Sequence, residues 1–344
     1  MYGTIGLTKI AAIEMAANQA LCALIPPLAC DSGYLYHHLE YTRPGWLKYS
    51  GQTTQANING STVRSHQVPL PNPIEQRKIA QVLDALDTAI HATEAIIAKL
   101  KSVKQGLLHD LLTRGIDANG ELRPPQAEAP HLFKQSALGW IPKGWEHELL
   151  DEVATRGSGH TPSKSVASYW NGGIKWVSLA DSHRLDAIYI NETDKEISKL
   201  GIANSSAVLH SAGTVILSRD AGIGKSAVLA FNMAVSQHFI AWLCGERLNN
   251  LFLYFYLQRE KPKFESIAMG STIKTIGLPF FKSYRIALPS MKEQVDAASI
   301  LMNAEAELTR LNSELVKLHD LKSGLMDDLL TGRVRVAPLL EGTL

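Results

Sequence analysis

The sequence contains few of the residues that mark several large protein classes, and cysteine is the scarcest of them. Its three cysteines, Cys22, Cys30 and Cys244, are odd in number and show no CxxC spacing. This pattern argues against a disulfide framework and against a zinc site, and it is typical of a reducing cytoplasm. We therefore expect a cytoplasmic protein without a bound metal.

A charge excess and a long apolar run are also lacking. The 34 Lys and Arg residues nearly balance the 33 Asp and Glu residues, which gives a net charge of +1, so any nucleic-acid surface must be local. The most apolar N-terminal stretch, 10–30, is interrupted by Glu14 and Asn18 and contains Pro26 and Pro27. It predicts neither a membrane span nor a signal peptide.

The sequence does contain an internal repeat with an offset of 218 positions. LPNPIEQRKIAQVLDAL, from Leu70, aligns with LPSMKEQVDAASILMNA, from Leu288, and 15 of the 47 positions from Leu70 to Ile116 are identical. The same offset aligns Gly6 with Gly224 and Gln19 with Gln237. Because Met1 then falls on Arg219, we expect the first copy to lack about 80 residues present in the second.

Within each copy, apolar residues alternate at spacings of four and three, which is the seam of a coiled coil. The seam residues chosen for helix packing are Leu83, Leu86, Ile90, Ile97, Leu100, Leu107, Leu301, Leu308, Leu311, Leu315, Leu318 and Leu325. Lys104 and Lys322 occupy the same seam position in the two copies. The pattern fits either a lysine buried in the seam or one whose charged end reaches the surface. Helices of about 40 residues, roughly 60 Å long, cannot bury such seams alone, so we expect an antiparallel pair.

The region between the helices changes to short apolar runs with glycine turns, such as IKWVSLA and AGTVILSRDAGIG. These runs predict strands, and residues 248–260 predict a helix, so the region is a mixed α/β domain. From Ala137 to Ile286 it has 16 Lys and Arg against 13 Asp and Glu, a mild basic excess.

The segment AGIGKS, from Ala221 to Ser226, resembles part of a phosphate-binding loop. Arg219 stands where the first glycine of that motif belongs, and Leu7 replaces Lys225 in the first copy, so a tight turn is the favoured interpretation. His160, His183 and the pair Arg219–Asp220 do not form a recognisable catalytic set. We expect Tyr169, Trp170 and Trp176 to fill a core or brace a loop.

These residues carry a family resemblance. Helices reading LPxxxEQxxIA to LxxxKxGLxxxLLTG, and a domain that opens LGWIPKGWE and continues GHTPSK and YWNGGIKWVS, resemble the specificity subunit of Type I restriction-modification systems. The resemblance implies mixed α/β (α+β) target-recognition domains that alternate with two long helices packed as an antiparallel coiled coil. The predicted segments are a first-domain remnant (1–68), the first long helix (69–116), a linker (117–136), the complete domain (137–286), the second long helix (287–334) and a tail (335–344).

The resemblance also implies partners. Each recognition domain would contact one half of a bipartite sequence in double-stranded DNA, and the helices would act as a ruler and dock two methyltransferase (modification) subunits. Those subunits bind S-adenosylmethionine and methylate adenine, and a motor-nuclease (restriction) subunit uses ATP. We therefore expect no catalysis and no cofactor in this chain.

The shortened first domain departs from the family pattern. A gene fragment, a late start codon and a completing chain or second copy all stay open as explanations. We expect the remnant to expose strand edges and the complete domain to read one half-site.

For DNA contact we favour polar and basic residues in the glycine-containing loops of the complete domain, because lysine meets phosphates and arginine binds guanine with two hydrogen bonds. The candidates are Arg156, His160, Thr161, Lys164, Lys175, Arg219, Lys225, Ser271, Thr272 and Lys274. A coiled-coil scaffold that only assembles other proteins is the alternative, and an NTP-dependent enzyme would rest on AGIGKS alone.

Overall fold

The chain contains two long helices; two shorter helices precede the first, and strands and shorter helices lie between the two. The computed structural model describes residues 5–27, 29–46, 48, 58–268 and 275–336. The α-helices are α1 (Ser32–Trp46), α2 (Gly60–Arg64), α3 (Pro73–Leu111), α4 (Leu150–Val153), α5 (Lys199–Ala203), α6 (Asn250–Ile267), α7 (Leu278–Lys282) and α8 (Met291–Leu330). The strands are β1 (Phe133–Ser136), β2 (Gly139–Pro142), β3 (Glu146–Leu149), β4 (Ala154–Ser158), β5 (Trp170–Val177), β6 (Tyr189–Ile190), β7 (Lys195–Ile197), β8 (Leu209–His210), β9 (Val215–Ser218), β10 (Ser226–Leu229), β11 (Met233–Val235), β12 (Phe239–Cys244) and β13 (Arg285–Leu288).

Two units make up the chain, and both long helices contribute to each. Unit 1 contains residues 1–100 and 308–344, and unit 2 contains residues 101–307.

Both long helices begin with a side chain that caps their first turn. Asn72 Oδ1 accepts hydrogen bonds from the backbone N–H groups of Ile74, at 3.1 Å, and Glu75, at 2.9 Å. Ser290 Oγ accepts one from the N–H of Glu293 at 3.3 Å. These bonds satisfy donors that have no partner inside the helix, so the motif before each EQ pair defines the helix start.

Within unit 1, α3 and α8 run in opposite directions. Leu83, early in α3, shares a core with Leu329 near the end of α8, whereas Ile97 packs in a cluster with Leu308. Between these contacts, the seam residue Lys322 forms an ion pair with Asp87 of α3. The lysine is therefore neutralised across the helix pair instead of being buried alone.

The parts of the same helices that belong to unit 2 follow the same direction. Leu108 and Leu111 of α3 share a core with Ala297 and Leu301 of α8. The other seam lysine, Lys104, pairs with Glu305.

Burial divides the twelve chosen seam residues into two sets of six. Leu83, Ile90, Ile97, Leu301, Leu308 and Leu311 are buried. Leu86, Leu100, Leu107, Leu315, Leu318 and Leu325 are half-buried.

Two sheets form the framework of unit 2. One has the strand order β4-β12-β9-β10-β6 and the other β7-β5-β11-β8, while β1 pairs with β2 and β13 with β3. Helix α6 lies against β9 and β10, and its Phe252 and Phe255 share a core with Leu217 and Trp242. The segment 117–136, expected as a linker, contains β1, because Phe133 is buried in the core and its strand pairs with β2.

Residues 5–68 differ from the expectation of exposed strand edges. In the described part of this region the regular elements are α1 and α2, and no strand is formed. A strand needs a neighbour for its backbone hydrogen bonds, and the apolar stretch 7–25 has none within this part of the chain.

Candidate nucleic-acid interface

Several loops of unit 2 meet where strands of the five-stranded sheet end. Strand β12 is antiparallel to both β4 and β9, with Ile240 opposite Ser158 and Phe239 opposite Ser218. The ends of β4 and β9 therefore lie beside the start of β12. We call the loops 159–169, 178–184, 219–225 and 236–238 the loop edge; Lys225 joins two of them by donating from Nζ to the carbonyl of Ser182 at 2.8 Å.

Two tryptophans hold the first of these loops. Trp176 Nε1 donates to the carbonyl of His160 and Trp170 Nε1 donates to that of Ser163, both at 3.1 Å. The two indole rings pack nearly perpendicular, with centroids 5.2 Å apart. The loop that presents His160, Thr161 and Lys164 is thus braced at two points on its backbone.

Gly159 allows the same loop to approach β11 closely. A Cβ at this position would lie 1.8 Å from the carbonyl oxygen of Val235, a distance that no side chain can occupy. The N–H of His160 donates to that carbonyl at 3.1 Å. Glycine is required here so that the loop can start hydrogen-bonded to the sheet.

A polar cluster lies where the loop edge meets the end of β9. Thr161 Oγ1 donates to Gln237 Oε1 at 2.6 Å, and Gln237 Nε2 lies 3.4 Å from His238 Nε2. His238 Nδ1 is 2.6 Å from Asp220 Oδ2, and Thr275 Oγ1 donates to the other oxygen of that buried carboxylate. The cluster positions an exposed amide, Gln237, that keeps further hydrogen-bonding capacity for a ligand.

The Arg219 side chain holds neighbouring loops together through hydrogen bonds to their backbone carbonyls. Its Nε donates to the carbonyl of Gln237 at 3.2 Å and its Nη1 to that of Ile276 at 3.1 Å. Its backbone N–H also donates to the carbonyl of His238 at 3.0 Å. This guanidinium connects three segments of the domain.

The AGIGKS segment forms the turn of a β9–β10 hairpin. Gly222 and Gly224 have φ values of +87° and +79°, which favour glycine, and the N–H of Ser218 donates to the carbonyl of Lys225. A phosphate-binding loop leads into a helix, whereas this turn leads into β10. The geometry is that of a tight turn.

The remaining candidate residues lie in different surroundings. Arg156, on β4, pairs with Asp151 at 3.1 Å, and Lys175, on β5, pairs with Glu192 at 2.6 Å. Lys164 is exposed and has no ion pair with any residue that the structure describes. Ser271, Thr272 and Lys274 lie outside the described residues.

Burial controls the protonation of two groups in the domain. Desolvation lowers the pKa of His210, whose ring lies under Gly157 of β4, so that the neutral imidazole is favoured. Burial raises the pKa of the Cys244 thiol to about 12, which makes it a poor nucleophile at neutral pH. In the described residues no cluster of His, Cys, Asp or Glu could hold a metal, and no helix among them could cross a membrane.

Sequence reasoning missed three residues of the polar cluster, Gln237, His238 and Thr275, and considered Asp220 only as a partner of Arg219. The repeat offered a signal for one of them, because Gln237 aligns with Gln19. Nothing in the local sequence indicates that Asp220 and Thr275, 55 positions apart, share a hydrogen bond.

The chain belongs to the family described as "Type I restriction modification DNA specificity domain", which it matches over residues 1–102 and 142–317. This membership confirms the resemblance and assigns the chain a role in DNA sequence specificity. Two specificity subunits of Methanocaldococcus jannaschii are similar to it. The putative type I restriction enzyme MjaX subunit is 26% identical over 88% of this chain and 67% of that protein, and the MjaVIII subunit is 24% identical over 90% and 72%.

Solved structures show a similar fold. The HsdS subunit from Thermoanaerobacter tengcongensis matches with a TM-score of 0.51 and 18% identity, over 89% of this chain and 71% of that one. The Type-I restriction-modification system S subunit from M. genitalium matches with a TM-score of 0.55 and 16% identity, over 89% and 74%.

Proposed function

We propose that this chain is the non-catalytic, DNA-reading subunit of a Type I restriction-modification complex, and that the loop edge of unit 2 reads one half-site in double-stranded DNA. The observation that carries the proposal is the polar cluster around Gln237. It presents a positioned amide from loops that are braced by the sheet. Pre-positioned hydrogen-bonding groups on a rigid scaffold are what base readout requires.

The residues of the loop edge divide into two roles. The amide of Gln237 suits the N6 and N7 atoms of adenine in the major groove. Lys164 and His160, on the neighbouring braced loop, are placed to meet phosphates and to set the register of the domain on the duplex. Arg219 acts on the loops themselves and not on DNA.

The chemistry in this proposal belongs to partner subunits. Two methyltransferase subunits bind S-adenosylmethionine and methylate adenine, and a restriction subunit uses ATP. The paired helices α3 and α8 act as the spacer and as the docking surface for the methyltransferase subunits. The alternative of a pure assembly scaffold leaves the hydrogen-bonded loop edge without a role.

The test is DNA binding by the chain reconstituted with its methyltransferase subunits, on a duplex whose site is first defined by methylation sequencing. Gln237→Ala should reduce discrimination between that site and a mismatched one about 5- to 150-fold, since a bidentate base contact is worth about 1–3 kcal/mol. Lys164→Ala should weaken binding to both duplexes and lower the slope of log K against log salt by about 1. Lys143→Ala, an exposed lysine between β2 and β3, is the matched control and should change neither quantity.

Equal affinity of the reconstituted wild-type complex for all duplexes would contradict the proposal. Methyl transfer or ATP hydrolysis by the purified chain alone would contradict its non-catalytic part.

A further inference from the structure

The later strands of unit 2 never pair with one another. Strand β10 bonds to β9 and β6, β11 to β5 and β8, β12 to β4 and β9, and β13 to β3. All of these partner strands lie between Glu146 and Ser218. The described residues of 219–288 (219–268 and 275–288) therefore obtain all their strand pairings from the half-domain that precedes them.

Residues 5–70 repeat the helices that lie within residues 219–288. With the offset of 218, α2 coincides with α7 at both ends, and α1 falls on the first fifteen residues of α6. Both α1 and α6 contain a proline at the matched positions, Pro44 and Pro262.

The glutamines of the EQ pairs make matching hydrogen bonds in the two units. In unit 1, Gln76 Oε1 accepts from the N–H of Asp31 at 2.8 Å, and its Nε2 donates to the carbonyls of Ala29 and Pro71 at 3.0 and 2.7 Å.

In unit 2, Gln294 Oε1 accepts from the N–H of Asn249 at 2.8 Å, and its Nε2 donates to the carbonyls of Arg247 and Pro289, both at 2.9 Å. Each of these partners lies 218 positions after its counterpart. The helices of the half-domain are thus anchored alike in both units.

Burial at the strand positions is opposite in the two units. Met15 is 68% exposed and Met233 is fully buried, and Leu21 is 65% exposed whereas Phe239 is fully buried. The same contrast holds for three further pairs: Ile10 and Val228, Leu24 and Trp242, and Leu70 and Leu288.

An exposed apolar stretch of this kind marks an interaction site, because water disfavours it and unpaired backbone groups can accept a strand. In unit 2, the equivalent residues are covered by the half-domain that contains strands β3 to β9. The sequence contains one copy of that half-domain, and its strands are already paired within unit 2.

We propose that residues 7–25 and 67–70 form an acceptor surface for a polypeptide segment with the chemistry of residues 137–218, distinct from the copy that each chain uses in its own unit 2, and that the two together complete another recognition domain. By the register of β9 with β12, a strand of this segment pairs with residues 21–24, and by that of β3 with β13 another pairs with residues 67–70. The inference rests on the repeat within the proposed specificity subunit and does not depend on DNA binding.

The test supplies the occupant in register. A copy of residues 137–218 is fused directly before Met1 of the full chain, because this reproduces the order in which Ser218 precedes Arg219. Amide hydrogen exchange should then slow by at least 100-fold in residues 8–25 of the fused chain relative to the unfused chain, and binding of a dye that detects exposed apolar surface should fall.

The control is the same fusion with Val215→Asp and Leu217→Asp in the added copy only. Both side chains are fully buried in β9, so the charged copy should not pair and exchange in residues 8–25 should stay fast. The native copy in unit 2 is unchanged and should keep its own protection in all three proteins.

Two results would overturn the inference. One is fast exchange in residues 8–25 of the matched fusion while unit 2 remains protected. The other is concentration-dependent protection of these residues in the unfused chain, which would identify a second copy as the occupant. Because no DNA is present, failure of DNA reading leaves this outcome unaffected.

Discussion

The guanidinium of Arg335 donates two hydrogen bonds of 2.7 Å to the buried carboxylate of Glu75. The bond joins the segment after α8 to the start of α3 within unit 1. Unit 2 contains a comparable pair, in which Arg123, after α3, binds Glu293 at the start of α8, with Nη2 and Oε2 3.2 Å apart. In each unit, an arginine that follows one long helix neutralises the acidic first turn of the other.

Replacing Arg335 by alanine should destabilise unit 1 at neutral pH. The hydrogen bonds from Arg335 hold the pKa of Glu75 below its ordinary range. A lowered carboxyl pKa contributes stability above the unfolded-state value of about 4.3, and this stability is lost as the pH falls through the folded value. Thermal unfolding should show a lower midpoint for Arg335→Ala at pH 7 and a smaller difference from wild type at pH 3.5.

Arg333→Ala is the matched control, because Arg333 is exposed and pairs with the surface carboxylates Asp327 and Asp328. An equal loss in the two variants would show that the buried position of Glu75 is unimportant.

The helix seam should respond according to burial. Leu83 is fully buried, so Leu83→Ala should cost about 2–5 kcal/mol of the free energy of unfolding. Leu318 is half-buried in the same unit, and Leu318→Ala should cost less. Urea unfolding followed by circular dichroism gives both values, and a larger effect at Leu318 would contradict the packing described above.

The buried amide of Gln294 should be essential to unit 2. Its three hydrogen bonds satisfy backbone groups of Asn249, Arg247 and Pro289. Gln294→Ala leaves them unpaired, and even one unpaired buried group costs about 1–3 kcal/mol. Gln294→Glu keeps the acceptor and loses the donor, so it should also destabilise; a neutral result for both variants in urea unfolding would refute this role.

Unit 1 should lose stability in mildly acidic solution. His38 is buried beside Tyr34 and His66, and desolvation, followed by the charge of His66, lowers its pKa. Burial also lowers the pKa of His66. A lowered histidine pKa means that the unfolded chain binds more protons below its value of about 6.5, so stability falls as the pH falls.

Urea midpoints at pH 7.5 and 5.5 measure this effect. His38→Phe should reduce the difference between the two pH values, whereas His91→Gln, at an exposed position in α3, should leave it unchanged. A pH dependence untouched by His38→Phe would assign the effect to other groups.

Local signals in the sequence were sufficient for the long helices and for most of the domain between them. The repeat and the apolar seam predict α3 and α8, and the structure starts them at Pro73 and Met291 instead of 69 and 287. The run IKWVS forms β5 and the loop after it, and the helix predicted over 248–260 extends to Ile267. In these segments, the hydrophobic periodicity and the secondary-structure propensities of the residues agree with their environment in the folded protein.

The loop edge could be predicted only as a set of loops. Whether a charged side chain faces a ligand depends on partners distant in sequence. Lys175 forms an ion pair with Glu192, and Arg219 donates a hydrogen bond to the carbonyl of Ile276, 57 positions away. Residues 7–25 show the same limit, because their alignment with the complete domain predicts strand edges and the neighbours that would make them strands are not in the described chain.

The division of unit 2 at residue 218 has a consequence for synthesis on the ribosome. The segment up to β9 emerges first, but β4 and β9 bond to each other only through β12, which is made later. Until translation reaches Cys244, the nascent chain carries open strand edges. The seam of helix α3 stays uncovered until α8 has been synthesised, so folding is completed late in translation. We expect chaperone binding to nascent chains to peak before Cys244 is synthesised.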